Sequence, residues 1–212
     1  MSCHMSALQD EQFYSNHDVE IIQKSRHYNG FLKIDHYQFR HRLFAGGWSD
    51  PIVRECLERG DAAALLPYDP IADTVVLIEQ IRVGALGGEQ PWQLEIVAGM
   101  IDKAESAEQV ARRESEEEAG ISIERSESIC SYYPSSGGCT EKLYLFVGEV
   151  DSTKAQGIHG LAEENEDIRV HVVAREQALK WLQNGRIENA ASIIALQWLA
   201  LNHARLRQQW QV

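Results

Sequence analysis

The sequence is poor in cysteine and in long apolar runs, and each shortage excludes a class of protein. Its four cysteines, Cys3, Cys56, Cys130 and Cys139, lack the close spacing typical of zinc sites and suggest no disulfide framework. We therefore expect free thiols in a reducing compartment. The apolar stretches are too short to cross a bilayer, and the first residues lack the charged start and apolar core of a signal peptide. The sequence predicts a cytoplasmic protein with no membrane partner.

Positive charge is also scarce, because 20 Lys and Arg residues face 32 Asp and Glu residues, for a formal net charge of -12. No basic stripe is present to displace counterions from a phosphate backbone, so we expect no nucleic-acid polymer as a partner. An acidic protein can still bind an anionic small molecule, but only where cations or local arginines reverse the field.

The N-terminal part of the chain predicts a small antiparallel sheet over residues 19–59. Strands are predicted over residues 19–28, 31–44 and 52–59, with a hairpin turn at Asn29 and Gly30 between the first two. A sheet of this size cannot bury both of its faces alone. We therefore expect it to lie against the main domain or against a second subunit.

The remainder of the chain mixes strands with three helices, which predicts an α+β fold. A capping box at Ser106 and Gln109 begins one helix and Gly120 ends it. Two further helices are predicted over residues 175–184 and, capped by Asn189, residues 190–208. A turn is predicted at residues 67–70. Strands are predicted over residues 62–66, 74–79, 92–98, 130–133, 143–150 and 167–173.

The predicted helix that ends at Gly120 carries Glu114, Glu117 and Glu118 within one turn of its C-terminal end. Like charges three or four residues apart repel, and a helix C-terminus already carries partial negative charge. A bound cation would remove this conflict, and ligands that are all oxygen point to a hard ion such as Mg2+. The alternative is an acidic helix face in contact with solvent.

The pattern of this segment resembles the signature of the Nudix hydrolases, which cleave nucleoside diphosphates linked to another group. One position departs, since Ser115 stands where the family usually has an aliphatic residue. The resemblance implies mixed β-sheets between helices in an α/β/α sandwich, here with an N-terminal antiparallel sheet domain. The residues that carry it are Gly99, Glu105, Arg113, Glu114, Glu117, Glu118, Gly120 and Ile121.

The resemblance also implies a metal site of several Mg2+ ions, for which Mn2+ can substitute. Its ligands would be the carbonyl of Ala98 and the carboxylates of Glu114 and Glu118. Glu117 is either a further ligand or a helper. Arg113 is expected to pair with a glutamate such as Glu105, and Glu116 is expected to face solvent.

Over residues 19–198 the chain resembles the bacterial ADP-ribose pyrophosphatases in particular. The matching stretches include residues 39–44, 76–82, 95–100 and 158–167. The resemblance implies hydrolysis of ADP-ribose, a nucleoside diphosphate sugar, to AMP and ribose 5-phosphate. It also implies a homodimer in which an N-terminal domain, residues 1–58, is exchanged across the interface, while residues 59–212 form the hydrolase domain.

Carried over residue by residue, the resemblance implies a substrate pocket built from two subunits. Phe31, Leu32, Arg54 and Glu55 would reach the adenosine site of the neighbouring subunit. The other contacts would be Arg59, Arg82, Met100, Ser135, Ser136, Gly137 and Glu141. Taken singly, each arginine could form a surface ion pair and Phe31 could be a core aromatic, so only their joint placement favours the substrate.

The acidic loop over residues 160–167 is the second place where the resemblance implies chemistry. Glu164 would be the general base that takes a proton from the attacking water, and Glu166 would reach a metal ion. Glu163 is assigned to the solvated surface of the loop.

Two other functions remain open. The chain could prefer another ADP-sugar or a dinucleotide, because Ser136 stands where many ADP-ribose pyrophosphatases have proline. It could also bind ADP-ribose without cleaving it, although such proteins tend to lose the glutamates that are present here.

Overall fold

A computed structural model of the protein describes residues 14–101, 104–161 and 165–210. It divides into two compact units, each considered by itself. The first unit contains the described residues up to Arg59 together with Gly137–Thr140, and the second contains the rest. The division into domains at residues 1–58 and 59–212 stays a prediction.

The first unit is a three-stranded antiparallel sheet, which confirms the predicted N-terminal sheet. Strands β1 (Val19–Asn29), β2 (Lys33–His41) and β3 (Ile52–Glu58) lie in that order. The prediction that the second strand begins at residue 31 and ends at residue 44 is wrong. Asn29 pairs with Lys33, so the turn is longer than predicted and leaves Phe31 and Leu32 in the loop.

Strand β1 is exposed along most of its length, and Asp35 is the one buried residue in the described part of this unit. Arg26 and Lys24 both form ion pairs with the Asp35 carboxylate, at 2.5 Å and 3.0 Å. These cations hold the pKa of Asp35 well below its usual range. The first unit is therefore a sheet with an ion-pair network and very little apolar core.

The second unit contains a mixed sheet of eight strands, which are β4 (Ala62–Asp69), β5 (Thr74–Ile81), β6 (Trp92–Glu95), β7 (Val97–Met100), β8 (Ser126–Tyr132), β9 (Leu143–Glu149), β10 (Ile158–His159) and β11 (Ile168–Ala174). Six of them lie in the order β10-β11-β5-β4-β9-β8. Strand β6 also pairs with β5, and β7 with β4. The β4 and β9 strands are parallel, and the other pairs are antiparallel.

Helices cover both faces of this sheet. Helix α1 (Ala107–Ala119) packs on one face through a core that includes Ala63 and Leu65. Helices α2 (Arg175–Gln183) and α3 (Ala190–Gln209) pack on the other face with Ala64 and Leu66. Because neighbouring residues of β4 point to opposite faces, this strand contributes to both cores. The result is the expected α/β/α sandwich, and no helix in the described residues is long and apolar enough to cross a membrane.

Three predicted elements of the second unit differ from the structure. The strand predicted over residues 130–133 begins earlier, because β8 covers Ser126–Tyr132. The turn predicted at residues 67–70 is wrong, because Tyr68 is fully buried and β4 continues to Asp69. The chain turns immediately afterwards, where the Asp69 carboxylate accepts hydrogen bonds from the backbone N–H groups of Ile71 and Ala72. The single strand predicted over residues 92–98 is two strands, β6 and β7, which pair with different neighbours.

The helix ends follow the sequence closely. Ser106 and Gln109 form the predicted capping box of α1, and Gly120 ends the helix with φ 67°. The side chain of Asn189 caps α3 by accepting a hydrogen bond from the backbone N–H of Ser192. Both ends of α1 are therefore set by local signals, which fixes the position of its glutamates.

Candidate active site

Glu118 is buried at the C-terminal end of α1, with 6% of its surface exposed. Its Oε2 atom accepts a hydrogen bond of 3.0 Å from the backbone N–H of Ala98 at the middle of β7. The pKa of Glu118 is raised to about 8, chiefly by burial; the charges of Glu114 and Glu166 also raise it, while the Ala98 hydrogen bond and Arg82 lower it. The helix and the strand thus hold a carboxylate in a position that penalises its negative charge.

Glu114 packs directly against Gly99, the residue that follows Ala98 on β7. An ideal Cβ atom built on Gly99 would lie 2.5 Å from Cγ of Glu114, and its carboxylate would be closer still. Only glycine therefore leaves room for this side chain. Burial raises the pKa of Glu114, Arg113 lowers it, and Glu117 and Glu166 raise it again.

Arg113 holds the polar side of α1 together. Its guanidinium forms two hydrogen bonds with Glu105, of 3.3 Å and 3.2 Å, which confirms the predicted pair. Its Nη1 atom also donates to Glu114 at 2.8 Å and to Glu117 at 2.9 Å. One cation is therefore shared among three carboxylates, and Glu117 is fixed by Arg113 in this structure.

The two remaining residues of this turn of α1 fill structural roles. Ser115 is fully buried, and its hydroxyl donates a hydrogen bond of 2.7 Å to the Ala111 carbonyl, so it satisfies its polar group within the helix. Glu116 is exposed, as predicted, and accepts a hydrogen bond from Ser122.

Glu166 belongs to the acidic loop, and its charge is a minor cause that raises the pKa of both Glu114 and Glu118. Its carboxylate accepts a hydrogen bond of 3.1 Å from the backbone N–H of Leu161. Gly160 has φ +105°, and a Cβ atom there would lie 2.6 Å from Cβ of Glu166. We call Glu114, Glu118 and Glu166 the acidic centre. The predicted base Glu164 and its neighbour Glu163 lie outside the described residues.

The acidic centre suits a divalent cation by its chemistry. In the described residues, no three acidic, histidine or cysteine side chains are arranged so as to hold a metal ion by themselves. The Arg113 guanidinium donates hydrogen bonds to Glu114 and Glu117, and the Ala98 N–H donates one to Glu118. The donors are nevertheless all oxygen, and the raised pKa values of Glu114 and Glu118 show that burial makes their negative charge unfavourable without a nearby cation. A hard divalent ion would fit this centre.

Arg82 is connected to the N-terminal end of α3 through hydrogen bonds, and its charge acts on the acidic centre. Its guanidinium donates a 2.8 Å hydrogen bond to buried Glu95, which also accepts one from the side chain of Asn189. Arg82 is therefore held by an ion pair while its charge still acts on Glu118. The sequence analysis missed Glu95, although its place in a strand next to the glutamate-rich segment could have indicated it.

The other predicted substrate residues fall in both units. In the first unit, Phe31 is completely exposed, so it is not a core aromatic, and 44% of Leu32 is exposed. The Arg54 guanidinium donates to the carbonyl of Val53 and forms no ion pair with the described residues, and Glu55 is exposed. The backbone N–H of Arg59 bonds to Thr140, and Gly137 belongs to the same unit. In the second unit lie the exposed residues Met100, Ser135 and Ser136 and the partly exposed Glu141.

A cleft of about 360 Å³ lies elsewhere in the second unit. Glu79 lines the cleft and is hydrogen-bonded to Arg186 and His171. It pairs across the sheet with Leu94, which belongs to the core under α2 and α3. The cleft is therefore on the sheet face away from α1. We assign the chemistry to the acidic centre, because the cleft holds no comparable group of buried carboxylates. The lining residues are Glu79, Trp92, Ile158, Asp167 and Arg169.

Comparison with known proteins agrees with this geometry. The chain is 57% identical over 198 residues to the ADP-ribose pyrophosphatase of Escherichia coli strain K12, covering 93% of this chain and 95% of that one. It is 50% identical over 204 residues to the ADP-ribose pyrophosphatase of Haemophilus influenzae, covering 94% of each.

The fold is also shared with a solved structure. A crystal structure of an ADP compounds hydrolase matches with a TM-score of 0.66 at 18% identity, covering 89% of this chain and 97% of that one. The model of the NUDIX domain matches residues 58–209, which include the acidic helix and the acidic loop. The chain therefore belongs to the NUDIX domain family.

Proposed function

We propose that this chain hydrolyses the diphosphate of ADP-ribose and releases AMP and ribose 5-phosphate. The observation that carries the proposal is the acidic centre, in which three carboxylates from α1 and the acidic loop influence one another beside Gly99. The similarity to two ADP-ribose pyrophosphatases at 50% identity or more supports the choice of substrate.

Magnesium is the cofactor that we propose, in several ions, with Mn2+ able to substitute. Ions bound here would offset the negative charge of the diphosphate in the transition state. Their ligands would be the Ala98 carbonyl and the carboxylates of Glu114, Glu117, Glu118 and Glu166.

Glu164 is the residue that we propose as general base. Its carboxylate would accept a proton from the attacking water, and the Arg113 clamp would keep Glu114 and Glu117 in place during the reaction. Arg82 would contact the substrate with the part of its guanidinium that does not bond to Glu95. The remaining contacts in the same copy would be Arg59, Met100, Ser135, Ser136, Gly137 and Glu141.

A second copy of the chain would complete the pocket in a homodimer. Phe31 is fully exposed on a loop, which suits stacking on an adenine supplied by a neighbour. Leu32, Arg54 and Glu55 of the second copy would contact the same adenosine. Light scattering would give the mass in solution, and a monomer with full activity would contradict this arrangement.

The substrate is tested by incubating the purified protein with ADP-ribose, ADP-glucose and a dinucleotide, each with Mg2+ and with EDTA. We expect AMP from ADP-ribose with a kcat/KM at least about tenfold above the others, and no AMP in EDTA. A higher value for another compound would favour the alternative of a different ADP-sugar or dinucleotide, to which Ser136 points. Intact ADP-ribose after long incubation with Mg2+ would favour a sensor.

The general base is tested with Glu164→Gln and with Glu163→Gln as its matched control. Both variants remove one negative charge from residues 160–167, so an effect of the loss of charge alone would appear in both. We expect Glu164→Gln to lower kcat by about two to four orders of magnitude and Glu163→Gln to change it little. Hydrolysis in isotopically labelled water would also report which product receives the solvent oxygen. Equal turnover by both variants would remove Glu164 from this role.

A further inference from the structure

Gln80 on β5 carries an unpaired buried hydrogen-bond donor. Only 7% of the residue is exposed, and its Nε2 atom is the one buried side-chain nitrogen or oxygen without a hydrogen-bond partner in the described part of the chain. Nearly all buried polar groups in native proteins are paired, because an unpaired one loses its bonds to water without replacement. We therefore expect this amide to donate its hydrogen bond to an acceptor that is not among the described residues.

The position of Gln80 along β5 places it on the sheet face that carries α1. Val76 and Ile78 belong to the core under α1, and residues two apart on a strand share a face. Arg82 continues the same alternation, because its backbone is extended with φ −123° and ψ 121°. The charge of Arg82 acts on Glu118. Gln80 thus lies between the core under α1 and Arg82, whose charge lowers the pKa of Glu118.

The pairing of β5 with β11 also places Gln80 on the face of the sheet that carries α1. Glu79 pairs with Arg169 of β11, so Gln80 is next to Ile168, which is fully buried in the core under α1. The Glu166 carboxylate of the acidic centre lies only two residues before Ile168. Gln80 is therefore flanked by Arg82 along its own strand and, on β11, by the residue that lies two positions after Glu166.

The opposite neighbour provides a contrast. On β6, Gln93 pairs directly with Gln80, and its Nε2 atom donates a hydrogen bond of 2.6 Å to the carbonyl of Gln90. The two glutamines share a register, but Gln80 is buried with its donor unpaired, whereas Gln93 is only partly buried and its donor is paired within the chain. The unpaired donor is not a general feature of this edge of the sheet.

We propose that the Gln80 amide donates a hydrogen bond to a diphosphate oxygen of the bound substrate. The inference rests on the proposed function and adds a substrate-binding residue to it. A phosphoryl oxygen only accepts hydrogen bonds, and the amide is a donor that adds no charge beside Arg82, whose guanidinium is already bonded to Glu95. A hydrogen bond to a charged acceptor is stronger than one between neutral groups, which suits a buried donor held ready for an anion.

The test compares Gln80→Met with Gln93→Met, which remove the same amide from opposite members of one strand pair. Without ligand, Gln80→Met should unfold at the same temperature as the wild type or higher, because it replaces an unpaired polar group by an apolar one of similar length. With ADP-ribose and Mg2+, its kcat/KM should fall about tenfold to a hundredfold. Gln93→Met should lose a little stability and keep its activity.

Competitive inhibition by ADP with Mg2+ then identifies the oxygen. If the acceptor is on the diphosphate, Gln80→Met should weaken inhibition by ADP by the same factor as it lowers kcat/KM. Unchanged inhibition would place the amide on the terminal ribose and overturn the assignment.

Two further results would also overturn it. Wild-type kcat/KM in Gln80→Met would mean that the amide contacts no substrate, and a clearly lower unfolding temperature would mean that it is already paired in the free protein. Failure of the proposed function is distinct, because then the wild type itself would not release AMP.

Discussion

Replacement of Gly99 by alanine tests whether β7 positions the carboxylates of α1. A Cβ atom at residue 99 would lie 2.5 Å from Cγ of Glu114, whereas carbon atoms normally approach to about 3.5–4 Å. The Glu114 side chain must therefore withdraw by about 1 Å. Because a displacement of this size in an active site can cost about a hundredfold in rate, we expect kcat/KM for ADP-ribose to fall by roughly that factor.

Stability should respond much less than activity to Gly99→Ala. The atoms in the way belong to the end of a flexible side chain, and residue 99 lacks the positive φ that favours glycine. Alanine also gains roughly 0.5–1 kcal/mol over glycine within a strand, which offsets part of a crowding cost of about 1–3 kcal/mol. We expect the free energy of unfolding in urea without Mg2+ to change by no more than about 2 kcal/mol.

Gly87→Ala is the matched control for this change. Gly87 lies in the loop between β5 and β6, and nothing stands within 4 Å of a Cβ atom built there. Its activity and its Mg2+ titration should equal those of the wild type. Normal activity in Gly99→Ala, or a loss of stability well above 2 kcal/mol, would refute the claim that Gly99 serves mainly to admit the Glu114 carboxylate.

Three further predictions concern charge and burial. Because burial raises the pKa of Glu118 from 4.5 to about 8, the folded protein binds this proton more tightly than the unfolded chain does, and stability falls as the pH rises through that range. In EDTA, Glu118→Gln should remove this loss, on the order of 5 kcal/mol at pH 9, and unfolding curves at pH 5 and pH 9 that differ as much as in the wild type would contradict it. Arg113→Lys should cost about 1–2 kcal/mol in thermal unfolding, because an ammonium cannot hold Glu105 with two hydrogen bonds while it reaches Glu114 and Glu117. Burial and the Asp73 carboxylate raise the pKa of Tyr68 to about 12, so its contribution is complete below pH 10 and is lost as the pH rises through 12. Tyr68→Phe should lose about 1 kcal/mol at pH 7 but decline less between pH 10 and pH 12, and parallel declines in urea unfolding would show that Tyr68 does not cause the alkaline loss.

The parts of the fold that could be predicted from the sequence depend on neighbours along the chain. Ser106, Gln109 and Gly120 set the ends of α1 by bonds within a few residues, and so the spacing of its glutamates could be interpreted before the fold was known. The first sheet was also predictable, since its strands follow one another and pair in chain order.

The parts that could not be predicted depend on partners far away in the chain. Pro67 looks like a turn residue, yet it lies in β4 and pairs with Gly148 of β9. On its other side it lies between the residues that pair with β7 and those that pair with β5, so no strand there needs its missing N–H. The unpaired amide of Gln80 is likewise invisible in the sequence, because glutamine in a strand normally reads as a surface residue. Both features follow from which strands meet, and no local pattern encodes that.

The break between β6 and β7 connects the two helix layers of the second unit. At Ile96 the chain leaves one strand partner for another, and its backbone N–H donates instead to the hydroxyl of Ser192 in the first turn of α3. Ala98, which bonds to Glu118, is only two residues further on. A hydroxyl on the opposite side of the sheet therefore sets the starting point of the strand that holds Glu118, and substitutions selected for packing of α3 would shift this carboxylate without touching it.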